Sequence, residues 1–183
     1  MVDAGRRSPR TTYYVASSLD GFIAAPDHAL DWLVSRDIDQ RGPMGPDAFV
    51  EGVGAIAMGA STYRWIREHL DTWDYVVPTW VFTHRDLEAP PDADVRFTDR
   101  DVVAVHAELA DAAGERDVWV MGGGELAGQF ADAGLLDEVV IAYAPVTLGS
   151  GAPLLPRRLE LRLTELAING EFACARYDVV RTA

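Results

Sequence analysis

The sequence predicts an α/β fold: a central mixed, mostly parallel sheet with helices on both faces and an antiparallel hairpin at the C-terminal edge. Three observations carry that expectation. Short β-branched or aromatic runs alternate with stretches at helical spacing through residues 11–144. One such run, Val118-Trp119-Val120-Met121, breaks into Gly122-Gly123-Gly124 and then reads as a helix. Near the C-terminus, runs 161–168 and 171–180 flank Asn169-Gly170, a dipeptide that readily takes positive φ at both centres of a hairpin turn.

Each element has a local reason. Residues 11–17 (TTYYVAS) suit a strand, Ser18-Leu19-Asp20-Gly21 turns the chain, and Phe22-Ile23-Ala24 is a shorter apolar piece. Residues 25–47 hold three prolines and two glycines around Trp32-Leu33 and read as an irregular, ligand-sized loop. Residues 47–51 make a short helix and 53–58 a buried strand; Gly59-Ala60-Ser61-Thr62 then opens a helix with Tyr63, Ile66 and Leu70 among its apolar positions. Residues 79–83 are strand-like, 86–99 read as an acidic, turn-rich linker, and 102–113 place Val105, Leu109 and Ala112 at helical spacing. Strand 118–121, a helix through Ala133 and strand 138–144 complete the pattern.

With 183 residues, 49% of them hydrophobic, the chain can bury one core, and a single domain over 1–183 is expected, with 1–10 disordered. A formal charge of −13 repels nucleic acid and anionic membranes, so neither is expected as a partner. Any phosphorylated ligand must be held by a few local donors. The single cysteine, Cys174, excludes an internal disulfide and reads as a small buried thiol in a strand. His28, His69, His84 and His106 lack ligand spacing, so no metal is expected. The polar opening is not a secretory signal and no run reaches spanning length, which makes the cytoplasm the default location.

A strand that delivers bare backbone to a helix N-terminus suits a phosphate, because unpaired N–H groups converge there and no side chain blocks approach. Triple glycine also serves as a plain tight turn. Gly122-x-Gly124-x-x-Ala127 formally fits the dinucleotide fingerprint, yet that motif normally opens its fold and needs an acid about twenty residues on, where Ile141, Tyr143 and Ala144 stand. No G-x-x-x-x-G-K-[ST] sequence is present.

Three ordered segments fit another pattern: residues 13–24 (YYVASSLDGFIA), 57–63 (AMGASTY) and 120–124 (VMGGG). Their order and spacing resemble the dihydrofolate reductase-like three-layer fold, specifically the C-terminal reductase domain of bacterial riboflavin biosynthesis deaminase-reductases, in stand-alone form. The likeness runs from about Thr11 to Val180 and includes Gly134-Leu135-Leu136-Asp137-Glu138 and the loop 144–151. It implies an NADPH-dependent reductase of the 5-amino-6-(5-phosphoribosylamino)uracil type, acting on a small pyrimidine or pteridine and paired as a homodimer. It also implies NADPH across the sheet's C-terminal edge, beside Ala16. Met58, Gly59, Ala60, Ser61 and Thr62 would lie under one phosphate. Met121, Gly122, Gly123, Gly124, Glu125 and Leu126 would lie under the pyrophosphate, and Thr83, His84 and Arg85 beside the adenosine. Relatives often hold the Gly-Gly link as a cis peptide. Ala60 replaces a basic residue common in dihydrofolate reductases, so reading of a 2′-phosphate rests on Arg85, whose alternative is an exposed loop charge.

At the substrate end, reduction of a C=N bond needs a proton besides the hydride, and a buried carboxyl can supply it. Asp47 and Asp20 are the candidates, with a helix N-cap and a turn-forming Asp as their ordinary alternatives. Trp32 either walls the substrate or packs the loop; Tyr143 either faces substrate or packs the core. Two departures from the riboflavin-type pattern bear on substrate: Phe22 stands where a lysine commonly follows Ser-Leu-Asp-Gly, and Phe49-Val50-Glu51-Gly52 replaces an arginine-bearing helix. The zinc deaminase signature is absent. Dihydrofolate reduction and a non-enzymatic nucleotide-binding sensor remain the alternative functions.

Overall fold

The computed structural model describes residues 8–181. One eight-stranded sheet organises the chain. Its strands are β1 (Thr11–Ser18), β3 (Val53–Gly59), β4 (Thr79–Phe82), β5 (Val95–Thr98), β6 (Asp117–Met121), β7 (Glu138–Ala144), β9 (Leu161–Asn169) and β10 (Phe172–Val179), in the order β5-β4-β3-β6-β1-β7-β10-β9. The six strands from β5 to β7 run parallel and β7, β10 and β9 pair antiparallel, so the predicted mixed sheet with a hairpin edge is what forms. A small second sheet pairs β2 (Phe22–Ala24) with β8 (Ala152–Pro153).

Alternating side chains of the central strands bury two cores, one on each face. Tyr13, Ala57, Val120 and Ile141 pack against α4 (Val102–Ala113) and α5 (Gly124–Asp132) through Val105, Leu109 and Phe130. Tyr14, Ile56, Met58, Trp119 and Ala142 pack on the opposite face, with α3 (Ala60–His69) contributing Tyr63 and Ile66. The short helices α1 (Asp31–Val34) and α2 (Pro46–Val50) join that second core through Trp32, Leu33 and Phe49. No helix among the described residues is long and apolar enough to cross a membrane.

Four expectations need correction. The linker 86–99 contains β5, four residues whose only apolar alternation is Val95 and Phe97. The loop 25–47 contains α1, a single turn. The hairpin turn lies one residue later than expected: Asn169 pairs with Phe172, Gly170 alone takes positive φ (57°), and Asn169 ends the strand. Of the opening residues expected to be disordered, 1–7 lie outside the described residues. Arg10, however, is held firmly. Its backbone N–H donates to Asp117 Oδ1 at 2.9 Å, and its guanidinium pairs with Asp178 at 2.6 Å and Glu138 at 3.1 Å.

Candidate active site

The parallel strands β3, β6 and β1 end on one edge, where two helices begin side by side. In an open α/β sheet this edge, outside the carboxyl ends of the strands, is the usual ligand crevice. Helix α3 starts after Gly59 and α5 after Gly123, and neither N-terminus has a side-chain cap, so their first N–H groups face the edge unspent. The two starts touch. A Cβ built on Gly122 would lie 2.7 Å from Thr62 Oγ1, and Gly122 takes φ 65°, so a glycine is needed there on both counts. At Gly124 a Cβ would meet the carbonyl oxygens of Pro153 and Leu154, which press the 153–154 segment against the start of α5. Gly59 and Gly123, by contrast, face open space; only Leu126 Cβ, at 3.8 Å, approaches a Cβ on Gly123. The peptide links here are trans, which corrects the expected cis Gly-Gly bond.

Two connected hollows share this cradle. A groove of about 630 Å³ brings together Gly59, Ala60, Ser61 and Thr62 with Thr83, His84 and Arg85, and with Gly123, Glu125 and Leu126. These are the three segments that the sequence pattern assigns to one dinucleotide. Thr98, Asp99 and Arg100, at the end of β5, also line it and carry no local sequence signal, since β5 reads as linker; Gln129 joins them from the second turn of α5. Arg85 is exposed, and among the described residues no carboxylate pairs with its side chain; Arg100 is committed to Glu108 at 2.8 Å and to the Ala104 carbonyl. Met58 does not reach the groove: it is fully buried in the core, one residue before the site begins.

The second hollow, a cleft of about 590 Å³, is lined by Ala16, Met121 and the three glycines. Tyr14, which pairs with Met121 across the sheet, lines it too, with Trp65, Trp119, Ile23, Leu30 and Leu33. Trp119 Nε1 donates to the Tyr14 carbonyl at 3.0 Å, and the Tyr14 hydroxyl donates to the Met44 carbonyl at 3.0 Å, while burial pushes that phenol's pKa well up. Trp65 had a sequence signal: it is an aromatic off the fully buried Tyr63/Ile66 stripe of α3, and it packs half-buried at the margin of the second core. His28, at φ 65°, also lines the cleft. The outer wall is Ala152, Pro153 and Pro156, from the segment that pairs with β2.

Neither expected acid lines the cleft. Asp47 is exposed in the first turn of α2, where Gly45 is the N-cap. Asp20 is a clamp: its carboxylate accepts from Ser18 Oγ at 2.6 Å, Leu148 N at 3.0 Å and Gly149 N at 2.7 Å, tying the Ser-Leu-Asp-Gly turn to the loop that leads into β8. Those donors, the Ser18 hydroxyl foremost, hold its pKa down at about 2, the opposite of what a neutral-pH acid needs. Trp32 packs under the loop in the second core, without lining the cleft. Tyr143 points to the other face of the sheet, where burial and then Tyr177 push its pKa up to about 12. Glu125 reaches both hollows, but its carboxylate is held by Arg157 at 2.7 and 3.2 Å, and that hydrogen bonding lowers its pKa.

Known proteins share this arrangement. Residues 9–171 match the RibD C-terminal domain family. The chain is 34% identical over 158 residues to the uncharacterized protein YwjB of Bacillus subtilis, covering 84% of this chain and 88% of that one. It is 30% identical over 167 residues to the riboflavin biosynthesis protein RibD of Corynebacterium ammoniagenes, covering 84% of this chain and 48% of that longer protein. Among solved structures, a Shewanella sp. PV-4 protein assigned to riboflavin biosynthesis superposes with a TM-score of 0.80 at 26% identity, over 94% of this chain and 99% of the other. The deaminase and 5-amino-6-(5-phosphoribosylamino)uracil reductase of Thermotoga maritima shares the fold, with a TM-score of 0.66 at 16% identity over 94% and 57% of the two chains. On its sequence match across nearly the whole length, this chain belongs to the RibD C-terminal domain family.

Proposed function

We propose that this protein is an NADPH-dependent reductase acting on a small pyrimidine or pteridine, and that it works as a cytoplasmic homodimer. The observation that carries the reading is the cradle itself: two uncapped helix N-termini in contact at Gly122 and Thr62, with open space above Gly59 and Gly123. That geometry suits a pyrophosphate, which would take the free N–H groups of α3 and α5. Thr83, His84 and Arg85 would hold the adenosine end, with Arg85 the donor for a 2′-phosphate. When bound, the dinucleotide supplies the hydride that reduces a C=N bond at carbon. Ala16 and Met121 line the second hollow with Ala152, Pro153 and Pro156, and Ser61, Thr62, Gly123 and Glu125 line both hollows. The matching proton would pass to the substrate nitrogen, and the donor we assign is His28, whose side chain lines the cleft.

Titration of the purified chain with NADPH and NADH, followed by a screen of pterins and pyrimidines for loss of nicotinamide absorbance, tests this. Binding with turnover is the expected result; failure of either dinucleotide to bind overturns the reading. The absence of Asp20 and Asp47 from the cleft lining favours a second reading, a nucleotide-binding sensor, which binding without turnover across the panel supports.

A further inference from the structure

Phosphate recognition needs donors that are free, and the substrate end of the cleft has few. All sixteen basic residues of the chain are arginines, and among the described residues none lines the cleft. Arg157 follows the lining residue Pro156 in the chain. Its Nε is taken by Asp132 at 2.7 Å, and its two amino groups by Glu125 at 2.7 and 3.2 Å. Two carboxylates therefore neutralise it before any substrate arrives. The remaining concentrated donors are the starts of α3 and α5, which line both hollows, and a dinucleotide pyrophosphate would use them. A substrate phosphate set against the aromatic rings would lose hydration with no arginine to replace it, in a protein of net charge −13.

The walls instead offer flat apolar surface. Trp65 is braced by His69, stacked at 4.5 Å with planes 9° apart, and Trp119 and Tyr14 meet edge to face at 6.1 Å. The Trp119 N–H and the Tyr14 hydroxyl are both spent on backbone carbonyls, and Phe49 stacks on one Tyr14 face at 4.2 Å, so what these largely buried rings offer the cleft is apolar and carries no hydrogen-bonding tip. Leu30 and Leu33 complete the enclosure, leaving His28, Ser61, Thr62 and the arginine-held Glu125 as its polar side chains to orient a ligand. We infer that the cleft takes a flat, uncharged heteroaromatic substrate that carries no phosphate. This rests on the reductase reading and narrows its substrate class.

Quenching of tryptophan fluorescence in the full-length chain, saturated with NADP⁺ to prevent turnover, measures it with three probes: 6-methylpterin, uridine and uridine 5′-monophosphate. Saturable binding of 6-methylpterin is expected, weakened about tenfold or more in Trp65→Leu, with uridine 5′-monophosphate bound no tighter than uridine. Retention of NADP⁺ binding by Trp65→Leu establishes that the variant is folded. A phosphate preference of about tenfold or more, or no 6-methylpterin binding while NADP⁺ binds, overturns the inference and leaves the reductase reading standing. Failure of NADP⁺ itself to bind strikes the reductase reading instead.

Discussion

A side chain at Gly123 would project over the cradle, since its nearest neighbour is Leu126 Cβ at 3.8 Å, and it would have to sit at φ 75°. Gly123→Val is therefore expected to leave a folded protein, destabilised by about 1–3 kcal/mol of backbone strain, with NADPH binding lost. Calorimetric titration checks this, and unchanged affinity would remove the cradle as the dinucleotide site. Arg85 tests cofactor choice. Losing one charge-assisted contact costs about 1.5–3 kcal/mol, so Arg85→Ala should weaken NADPH by roughly ten- to a hundredfold and leave NADH nearly unchanged. Equal losses would mean that Arg85 does not read the 2′-phosphate. Asp20 has a different signature. Its folded pKa of about 2 lies below the ordinary 3.8, so its clamp contributes fully above pH 4 and is lost as pH falls towards 2. Asp20→Asn should flatten the stability profile over that interval in acid titrations; a profile identical to wild type would deny the clamp. The cradle itself was legible because uncapped helix starts built from small residues leave a sequence mark, Gly-Gly-Gly above all. The role of Asp20 was not, because its partners Leu148 and Gly149 are over a hundred residues away.

Long elements announced themselves and short ones did not. Helix α4 carries Val105 and Leu109 on one buried face over three turns, and β3 is buried almost throughout, patterns that persist long enough to be read. Strands β5 and β8, of four and two residues, exist because a neighbouring strand supplies their hydrogen bonds, and α1 is one four-residue turn closed by its own. The hairpin turn shows a tertiary contact overriding a local preference. Asn169 is buried at 2% exposure; its Oδ1 accepts from Asp39 N at 3.0 Å, and its Nδ2 donates to the carbonyls of Asp39 at 2.9 Å and Pro43 at 3.1 Å. It thus serves as a clamp on the loop before α2, and the turn moves on to Gly170 and Glu171. A larger residue at Gly170 is barred, since a Cβ there would strike the Asp37 carbonyl. Asn169→Ala strands those backbone groups, and a loss of about 2–3 kcal/mol in urea unfolding is expected. The loosening should also reach the cleft, because Met44, in the same loop, receives the Tyr14 hydroxyl. A loss under about 0.5 kcal/mol would show that solvent satisfies the loop unaided.

At the scale of the whole molecule, the sheet ends asymmetrically. Strand β5 closes one edge with four residues, whereas β9 closes the other with nine and carries an apolar stripe on one face. Leu161, Leu163, Leu166 and Ile168 are 38, 52, 69 and 81% exposed. The spacing from Leu163 to Leu166 would put the two pairs on opposite faces of a regular strand, but the register shift opposite Arg176 and Tyr177 restores them to one. That face continues the core packed by α4 and α5: Leu163 pairs with Tyr177 and Leu166 with Ala175, and Tyr177 and Val179 pack on that core. In one chain the stripe has no helix over it, and an open, apolar edge of this length invites association. A second copy related by a twofold axis would cover it with the same surface, each buried leucine or isoleucine contributing about 1.5–3 kcal/mol when fully removed from water. Light scattering at micromolar concentration should accordingly give twice the 20.0 kDa of one chain. Ile168→Asp, at a position the fold itself leaves open, should give a folded monomer of unchanged melting cooperativity. Wild-type protein running at the mass of a single chain would sink the dimer and leave the stripe to another partner.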